Sequence, residues 1–249
     1  MRAATISAAN CQGSRNQRSK HMNFNAKHWA LALVALACAT VRPALAEGEL
    51  MVMPAATRVY ATHDQKVTVR NMGDAPLFLS ITLQKIMNPG VTPEKKVDLG
   101  QLDNPGMLAS PDKLTLGPGQ SRQIELKSLT DPAQEEVYRL YVVPIRSLKV
   151  EDAPADKITA PMSVAIGYGV LVRHLPPPGK LNVAWTHRCE DGGITLESTG
   201  NVRTLFSNAS YDGVKQPQTI AVFPGTPQHF ATKRMTLSVQ DEPKTLQCP

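Results

Sequence analysis

The sequence predicts an all-β protein made of two sandwich domains, and three observations support this. Segments with a clear period alternate every two residues, as β-strands do, and no segment has the convincing 3.6-residue period of an amphipathic helix. The chain contains 20 prolines and 16 glycines among its 249 residues, and many of them separate the alternating segments. Roughly 200 residues follow a leader-like N-terminus, a length that suits two β-sandwiches.

Residues 1–46 have the parts of a secretory signal. Lys27 and His28 form a polar head, an apolar run extends from Trp29 to Thr40, and Pro-Ala-Leu-Ala closes the segment at Ala46. The apolar run, at about a dozen residues, is too short to span a bilayer comfortably. We therefore predict an exported protein that is cleaved after Ala46.

Two alternatives for this leader concern its start and its type. Met22 is a more usual start than Met1, and residues 1–21 would then be an upstream extension. A lipoprotein signal ending at Cys38 is the other alternative, although Ala35 stands where such signals prefer Leu.

The formal net charge of +6 comes from the leader. Residues 1–46 hold six Lys and Arg and no Asp or Glu, so the remainder has 21 basic and 21 acidic residues. A neutral mature chain gives no electrostatic reason to expect a nucleic-acid partner.

The predicted first domain, residues 47–175, has about seven strands, which is the size of one immunoglobulin-like sandwich. A non-periodic, Pro- and Gly-rich segment from Met87 to Pro111 interrupts it, and a long polar hairpin is predicted over Ser147–Thr159. The predicted strands before that hairpin are Leu50–Tyr60 with a break at Pro54, Lys66–Asn71, Leu77–Ile86, Lys96–Leu99, Leu114–Leu116, Arg122–Leu126 and Val137–Val143.

The segment Pro161–Pro176 is the strand with the most distinctive pattern. Apolar residues alternate with small ones, and its two glycines and several valines disfavour a helix. The pattern is typical of an ordinary strand that buries one face in a core. It also fits an apolar edge strand kept open for another chain, although the pattern alone favours the core strand.

Three prolines, Pro176–Pro178, followed by Gly179 mark the predicted domain boundary, and residues 176–249 form a smaller β domain. Cys189 and Cys248 are the cysteines left after cleavage, and an even pair in an exported protein predicts a disulfide, with two unpaired thiols as the alternative. The predicted strands are Leu181–Thr186, Ile194–Ser198, Thr204–Tyr211, Gln218–Val222 and Met235–Gln240.

Motifs for catalysis or metal binding are absent from the sequence. The histidines of the predicted mature chain are widely spaced, and none forms a zinc-type cluster. The sequence has no hydrolase elbow, P-loop or dinucleotide-binding glycine motif. Met51 and Met53, a conceivable copper pair, have the spacing of strand core residues. We therefore expect no enzyme activity, cofactor or metal.

Five segments in order resemble the periplasmic chaperones of the chaperone–usher pilus pathway. Within that family the resemblance is to the alternate branch that serves colonisation-factor and common-pilus fimbriae. The segments are Lys85–Asp98 (KIMNPGVTPEKKVD), Asp112–Leu126, Glu135–Tyr141 (EEVYRLY), Tyr168–Pro176 (YGVLVRHLP) and Ser198–Arg203 (STGNVR).

This resemblance implies two immunoglobulin-like domains in an L-shaped arrangement, a periplasmic location, and a last strand of the first domain that is lent to an unfinished pilin subunit. It implies pilin subunits and an outer-membrane usher as partners, and no cofactor. The donated side chains would be Met162, Val164, Ile166 and Tyr168. An exposed apolar strand would also allow a second copy of the chain to cover it in the free state.

The resemblance further implies basic residues that bind the C-terminal carboxylate of the pilin. Arg58 matches the first of these. Gly169 stands where the better-known branch has Lys, so that either Arg139 substitutes for it or a backbone N–H at Gly169 does. Arg173 would form an interdomain ion pair with Glu136.

Two other functions fit an exported two-domain β protein. A secreted adhesin or carbohydrate-binding module would present an exposed aromatic platform, and Trp185 is the one tryptophan left after cleavage. A metal-handling β protein would have to use the scattered Met and His residues.

Overall fold

The computed structural model describes residues 49–60, 63–145 and 166–249 and confirms the all-β prediction. Within these ranges seventeen strands are joined by loops and two short 3-10 helices, Leu99–Gln101 and Pro178–Lys180. No helix in these ranges has the length and hydrophobicity needed to cross a membrane. Residues 1–48, which include the predicted leader, and the predicted hairpin Ser147–Thr159 lie outside the described residues.

The first ten strands form two sheets that enclose one hydrophobic core. One sheet has the order β1-β3-β8-β6, and the other has the order β2-β10-β9-β4-β5, with β7 also paired to β4. The strands are β1 (Leu50–Met53), β2 (Ala56–Val59), β3 (Gln65–Asn71), β4 (Leu77–Ile86), β5 (Lys96–Asp98), β6 (Met107–Ser110), β7 (Lys113–Leu116), β8 (Ser121–Ser128), β9 (Glu136–Ile145) and β10 (Tyr168–His174).

The two-residue alternation of the sequence places the core of this first sandwich. In β4, Leu77, Leu79, Ile81 and Leu83 point inward and are buried, whereas Phe78 points outward and is exposed. Burying one such side chain stabilises the fold by roughly 1.5–3 kcal/mol, and β3, β8, β9 and β10 contribute in the same way. The prediction of a central strand near Val137–Val143 is confirmed, because β9 lies between β10 and β4.

Pro54 divides the first predicted strand between the two sheets. Before it, β1 pairs with β3 in the first sheet, and after it β2 pairs with β10 in the second. The β2–β10 pairing is parallel and joins Ala56–Val59 to Leu171–His174. A proline suits this position because it has no N–H to offer a ladder. Consequently β2 begins only halfway along β10.

The last seven strands form a second sandwich with its own core. Its sheets have the orders β11-β12-β15 and β14-β13-β16-β17. The strands are β11 (Trp185–Glu190), β12 (Gly193–Ser198), β13 (Thr204–Tyr211), β14 (Gln218–Val222), β15 (Gln228–Phe230), β16 (Arg234–Val239) and β17 (Glu242–Gln247).

A disulfide joins Cys189 and Cys248, as predicted. Cys189 lies on β11 of one sheet and Cys248 directly follows β17 of the other, so that the bond ties the two sheets together. Closing a loop of 59 residues restricts the unfolded chain, which in the chain-entropy model is worth about 4 kcal/mol.

Strand boundaries differ from the prediction where burial does not follow a simple alternation. The predicted strand Leu181–Thr186 is wrong over most of its length, because β11 begins only at Trp185. Before it, the Asn182 carbonyl accepts the Asn201 N–H at 3.0 Å instead of joining a strand ladder. Three short strands were missed: β6, β15 and β17. In β17 Leu246 alone is buried, so its sequence carries no alternating signal.

Candidate functional site

Strand β10 is paired along its whole length on one edge and along only part of its length on the other. Its ladder with β9 covers Tyr168–His174, whereas its ladder with β2 covers Leu171–His174. The Leu171 N–H donates to the Ala55 carbonyl at 3.0 Å, so Leu171 faces β2. Because peptide groups alternate along a strand, that of Gly169 points to the same side, where no described strand lies.

The side chains along this open edge change from buried to exposed. Val170 and Val172 belong to the first core, whereas Tyr168 is 38% exposed and Ile166 is 72% exposed. An unpaired edge with exposed apolar side chains is a hazard for aggregation unless something covers it. Of the predicted donor residues, Met162 and Val164 lie outside the described residues.

Glu135 lies at the junction of the two sandwiches, and its side chain is completely buried. Its carboxylate accepts both Arg173 Nε and Arg173 Nη2, the latter at 2.9 Å, and also accepts the backbone N–H of Arg203 at 2.8 Å. Its own N–H donates to the Asn201 carbonyl at 2.7 Å. One carboxylate therefore connects β10 of the first sandwich to the segment that precedes β13 of the second.

The prediction that Arg173 pairs with Glu136 is therefore wrong, because its partner is Glu135. Arg173 lies opposite Val137 in the β9–β10 ladder, and Glu136 lies opposite His174. Since neighbouring residues of a strand point to opposite faces, Arg173 shares a face with Glu135 and not with Glu136.

Arg173 binds the buried Glu135 carboxylate through its side chain and Arg203 binds it through its backbone N–H, and we call these two residues and Arg58 the arginine cluster. Arg58 is exposed on β2 and lies opposite Arg173 in the parallel ladder. The guanidinium carbon of half-buried Arg203 lies 5.8 Å from the centre of the Phe223 ring. Burial lowers the pKa of Arg203, and the positive charges of Arg173 and Arg58 lower it further, while the negative charge of Glu135 offsets part of this effect. Glu135 is thus one negative charge among three positive ones.

Arg139, the predicted substitute for a basic residue at Gly169, lies on β9 and forms an ion pair with Glu94. A Cβ atom on Gly169 would lie 3.1 Å from Arg139 Cδ and 3.4 Å from Tyr141 Cε1. Gly169 therefore leaves room for these two side chains on the outer face of the sheet. Contacts of under 3.4 Å to a Cβ are tighter than ordinary packing.

Glu136 belongs to a separate polar network on the other face of β9. Its carboxylate accepts Lys85 Nζ and the Tyr138 hydroxyl, each at 2.6 Å, and its Oε2 lies 3.7 Å from His174 Nδ1. Burial alone would raise the pKa of this carboxyl, but the contacts with His174, Lys85 and Tyr138 outweigh burial and lower the pKa to about 2. Burial of the Tyr138 hydroxyl and its hydrogen bond to Glu136 raise the pKa of Tyr138.

The features expected of a carbohydrate-binding adhesin or a metal-handling protein are not found among the described residues. Trp185 packs edge-on against Phe206, with ring centres 5.1 Å apart, and belongs to the second core, so it does not form an exposed aromatic platform. Among the described ranges no three His, Cys, Asp or Glu side chains come together as a metal site.

Sequence reasoning missed Glu135, Arg203 and Glu94. Glu135 and Glu136 are adjacent in EEVYRLY, and only the strand register distinguishes their faces. Arg203 ends the STGNVR segment, but its position beside Arg58 depends on how two distant segments pack. Glu94 lies in the non-periodic Met87–Pro111 segment, where no pattern marked it.

Two relatives of this chain are fimbrial proteins of Escherichia coli. A CFA/I fimbrial protein of Escherichia coli is 30% identical over 162 residues, which cover 65% of this chain and 67% of that protein. The crystal structure of the class 5 fimbriae chaperone CfaA aligns with a TM-score of 0.62 and 22% identity over 81% of this chain and 100% of that one.

A chain from a chaperone–tip adhesin complex, described as vital for synergistic activation of CFA/I fimbriae biogenesis, aligns with a TM-score of 0.63. It is 23% identical over 80% of this chain and 98% of that one. No protein-family model matches the chain. The structural matches confirm the fold of two β-sandwiches.

Replacing Glu135 with Gln should destabilise the protein, because Arg173 would remain buried without its counter-ion. Removing one partner of a buried ion pair costs about 3–5 kcal/mol, and we expect the lower end because Arg173 is 10% exposed. Urea unfolding of both proteins measures the difference. The control is Glu125→Gln, which breaks an exposed pair with Lys66 and should change stability by less than about 0.5 kcal/mol. Equal effects of the two substitutions would contradict this role of Glu135.

Stability should fall in acid through Glu136. Its pKa is about 2 in the folded chain against an ordinary value of 4.5, so its contribution is complete above pH 4.5 and is lost as the pH falls towards 2. The loss is at most about 3 kcal/mol. Urea unfolding at a series of pH values should therefore show a shallower acid loss for Glu136→Gln than for the unchanged protein. Identical pH profiles would show that Glu136 does not carry this dependence.

Proposed function

The chain belongs to the PapD-like pilus chaperones of the chaperone–usher pathway, in the branch that includes its CFA/I fimbrial relative, and we propose that it binds pilin subunits and stabilises them by lending them the edge of β10. The observation that carries this proposal is the open edge that begins at Gly169, next to the exposed side chains of Tyr168 and Ile166.

Strand addition suits this edge because it satisfies two needs at once. A pilin that lacks its last strand exposes an apolar groove together with unpaired backbone groups. The Gly167 and Gly169 peptides can complete a ladder with such a partner, while Ile166 and Tyr168 provide alternating apolar contacts. Met162 and Val164 extend the same alternation and remain predicted donor residues.

The position of Arg58 suits a partner strand that ends at a free carboxylate. A strand that runs parallel to β10 on its open side would stop where β2 begins, since β2 occupies the rest of that edge. A C-terminal carboxylate at that point would lie near Arg58 on β2. Charge-assisted hydrogen bonds of this kind contribute about 1.5–3 kcal/mol each.

The remaining parts of the proposal concern location and delivery. We propose a periplasmic protein that loses its leader after Ala46, with a chaperone domain of residues 47–175 and a smaller domain of residues 176–249. The chaperone would deliver each bound pilin to an outer-membrane usher. In the free state a second copy would cover the open edge.

Co-expression with the fimbrial subunits of its source tests this function. We expect one of these subunits to co-purify with the chain as a one-to-one pair. Arg58→Ala should reduce the recovered pilin to about a tenth or less while the chaperone itself stays folded. Arg122→Ala, which changes an exposed arginine on β8 of the opposite sheet, should leave the recovery unchanged. Recovery of the free chain alone with every pilin tried would refute the function, and normal recovery with Arg58→Ala would refute the anchor.

A further inference from the structure

We propose that Arg203, on the second sandwich, is the second basic residue that binds the C-terminal carboxylate of the pilin, together with Arg58 on the first. This inference rests on the proposed chaperone function. The carboxylate site then has one arginine from each sandwich. Arg203 takes the role of the Lys that the better-known branch of the family has at the position of Gly169.

Several cations of the first sandwich are already neutralised by carboxylates. Arg173 donates twice to Glu135, Arg139 pairs with Glu94, and Lys85 pairs with Glu136. Among the described residues, the guanidinium groups of Arg58 and Arg203 have no carboxylate partner. These two are therefore the members of the arginine cluster that remain free to bind an added anion.

Arg203 is held in position through both its backbone and its side chain. Its backbone N–H is bonded to the Glu135 carboxylate that also holds Arg173, and its guanidinium lies against the buried Phe223 ring. A stacked guanidinium with fixed main chain loses little freedom on binding a carboxylate. Arg203 is therefore preorganised for ligand binding.

The net positive charge around Arg203 favours an anionic ligand. Burial and the positive charges of Arg173 and Arg58 disfavour the charged form of half-buried Arg203, and the negative charge of Glu135 offsets only part of this effect. One carboxylate from a partner would relieve this repulsion and bring the group of Glu135 and three arginines closer to neutrality. An anion is thus the ligand that this cluster favours.

The ion pair with Glu94 makes Arg139 the weaker candidate. Glu94 lies in the Met87–Lys95 loop, which is closed by the bond from the Met87 N–H to the Lys95 carbonyl at 2.8 Å. This loop also rests against the second sandwich, because Gln228 Nε2 donates to the Gly90 carbonyl at 3.1 Å. A Cβ on Gly90 would lie 2.7 Å from the Ala221 carbonyl, which shows how closely the loop approaches. The loop that carries Glu94 is thus held in place, and Glu94 stays beside Arg139 as a competing carboxylate.

The test uses the pilin that co-purifies with the unchanged chain, prepared once with its C-terminal carboxylate and once with a C-terminal amide. Denatured pilin is refolded with increasing concentrations of chaperone, and the concentration for half-maximal capture is measured. The readout is the preference for the carboxylate pilin over the amide pilin. Any change in stability of the chaperone affects capture of both forms and cancels in this ratio.

Arg203→Gln should reduce the preference for the carboxylate about tenfold or more and leave capture of the amide pilin unchanged. Arg203→Lys keeps the charge and should retain part of the preference, whereas Arg139→Gln should retain all of it. The inference is overturned if Arg203→Gln leaves the preference intact, if it weakens capture of both forms equally, or if Arg139→Gln is the variant that removes the preference. Failure of the unchanged chain to capture either form would instead refute the proposed function.

Discussion

The structure depends on the point at which β2 begins to pair with β10. Pro54 ends β1 in one sheet, and the chain re-enters the other sheet at Ala56, beside Leu171. From Leu171 onward β10 is a covered core strand, and before Leu171 its edge is open. The same strand therefore anchors the first core through Val170 and Val172 and offers unpaired peptide groups at Gly169.

A second constraint fixes what lies at the end of this open edge. Glu135 joins Arg173 of the first sandwich to the backbone of Arg203 in the second, and its burial makes the contact costly to break. The pair holds geometry more than it adds stability. Because it fixes Arg203 near Arg58, the interdomain contact and the proposed carboxylate site become one arrangement. Its excess of positive charge suits the end of a pilin chain.

Strong local patterns could be predicted from the sequence. The alternation in Leu77–Ile86 and Val137–Val143 predicts β4 and β9, Pro54 predicts the interruption between β1 and β2, and Cys189 with Cys248 predicts the disulfide. The pattern of Pro161–Pro176 left a core strand and an open edge strand as alternatives. In the described part, Tyr168–His174, β10 has both characters.

Features that depend on register and on packing between distant segments could not be predicted. Which of two adjacent glutamates meets Arg173 depends on a one-residue register, and a slip of one residue exchanges the two faces. The pairing of Glu94 with Arg139 and the approach of Arg203 to Arg58 join segments that no periodicity connects. Strands such as β17, with Leu246 as its buried residue, carry too little hydrophobic pattern to be recognised.

Amide hydrogen exchange at Gly169, measured in the free chain and in its complex with a pilin, tests the central claim most directly. We predict that the Gly169 N–H exchanges rapidly in the free chain, diluted until it is monomeric, and at least about 100-fold more slowly in the complex, because a partner strand then accepts it. The Val170 N–H, which points to β9, should be protected in both states. Rapid exchange at Gly169 in a complex that is otherwise fully formed would contradict strand addition at this edge.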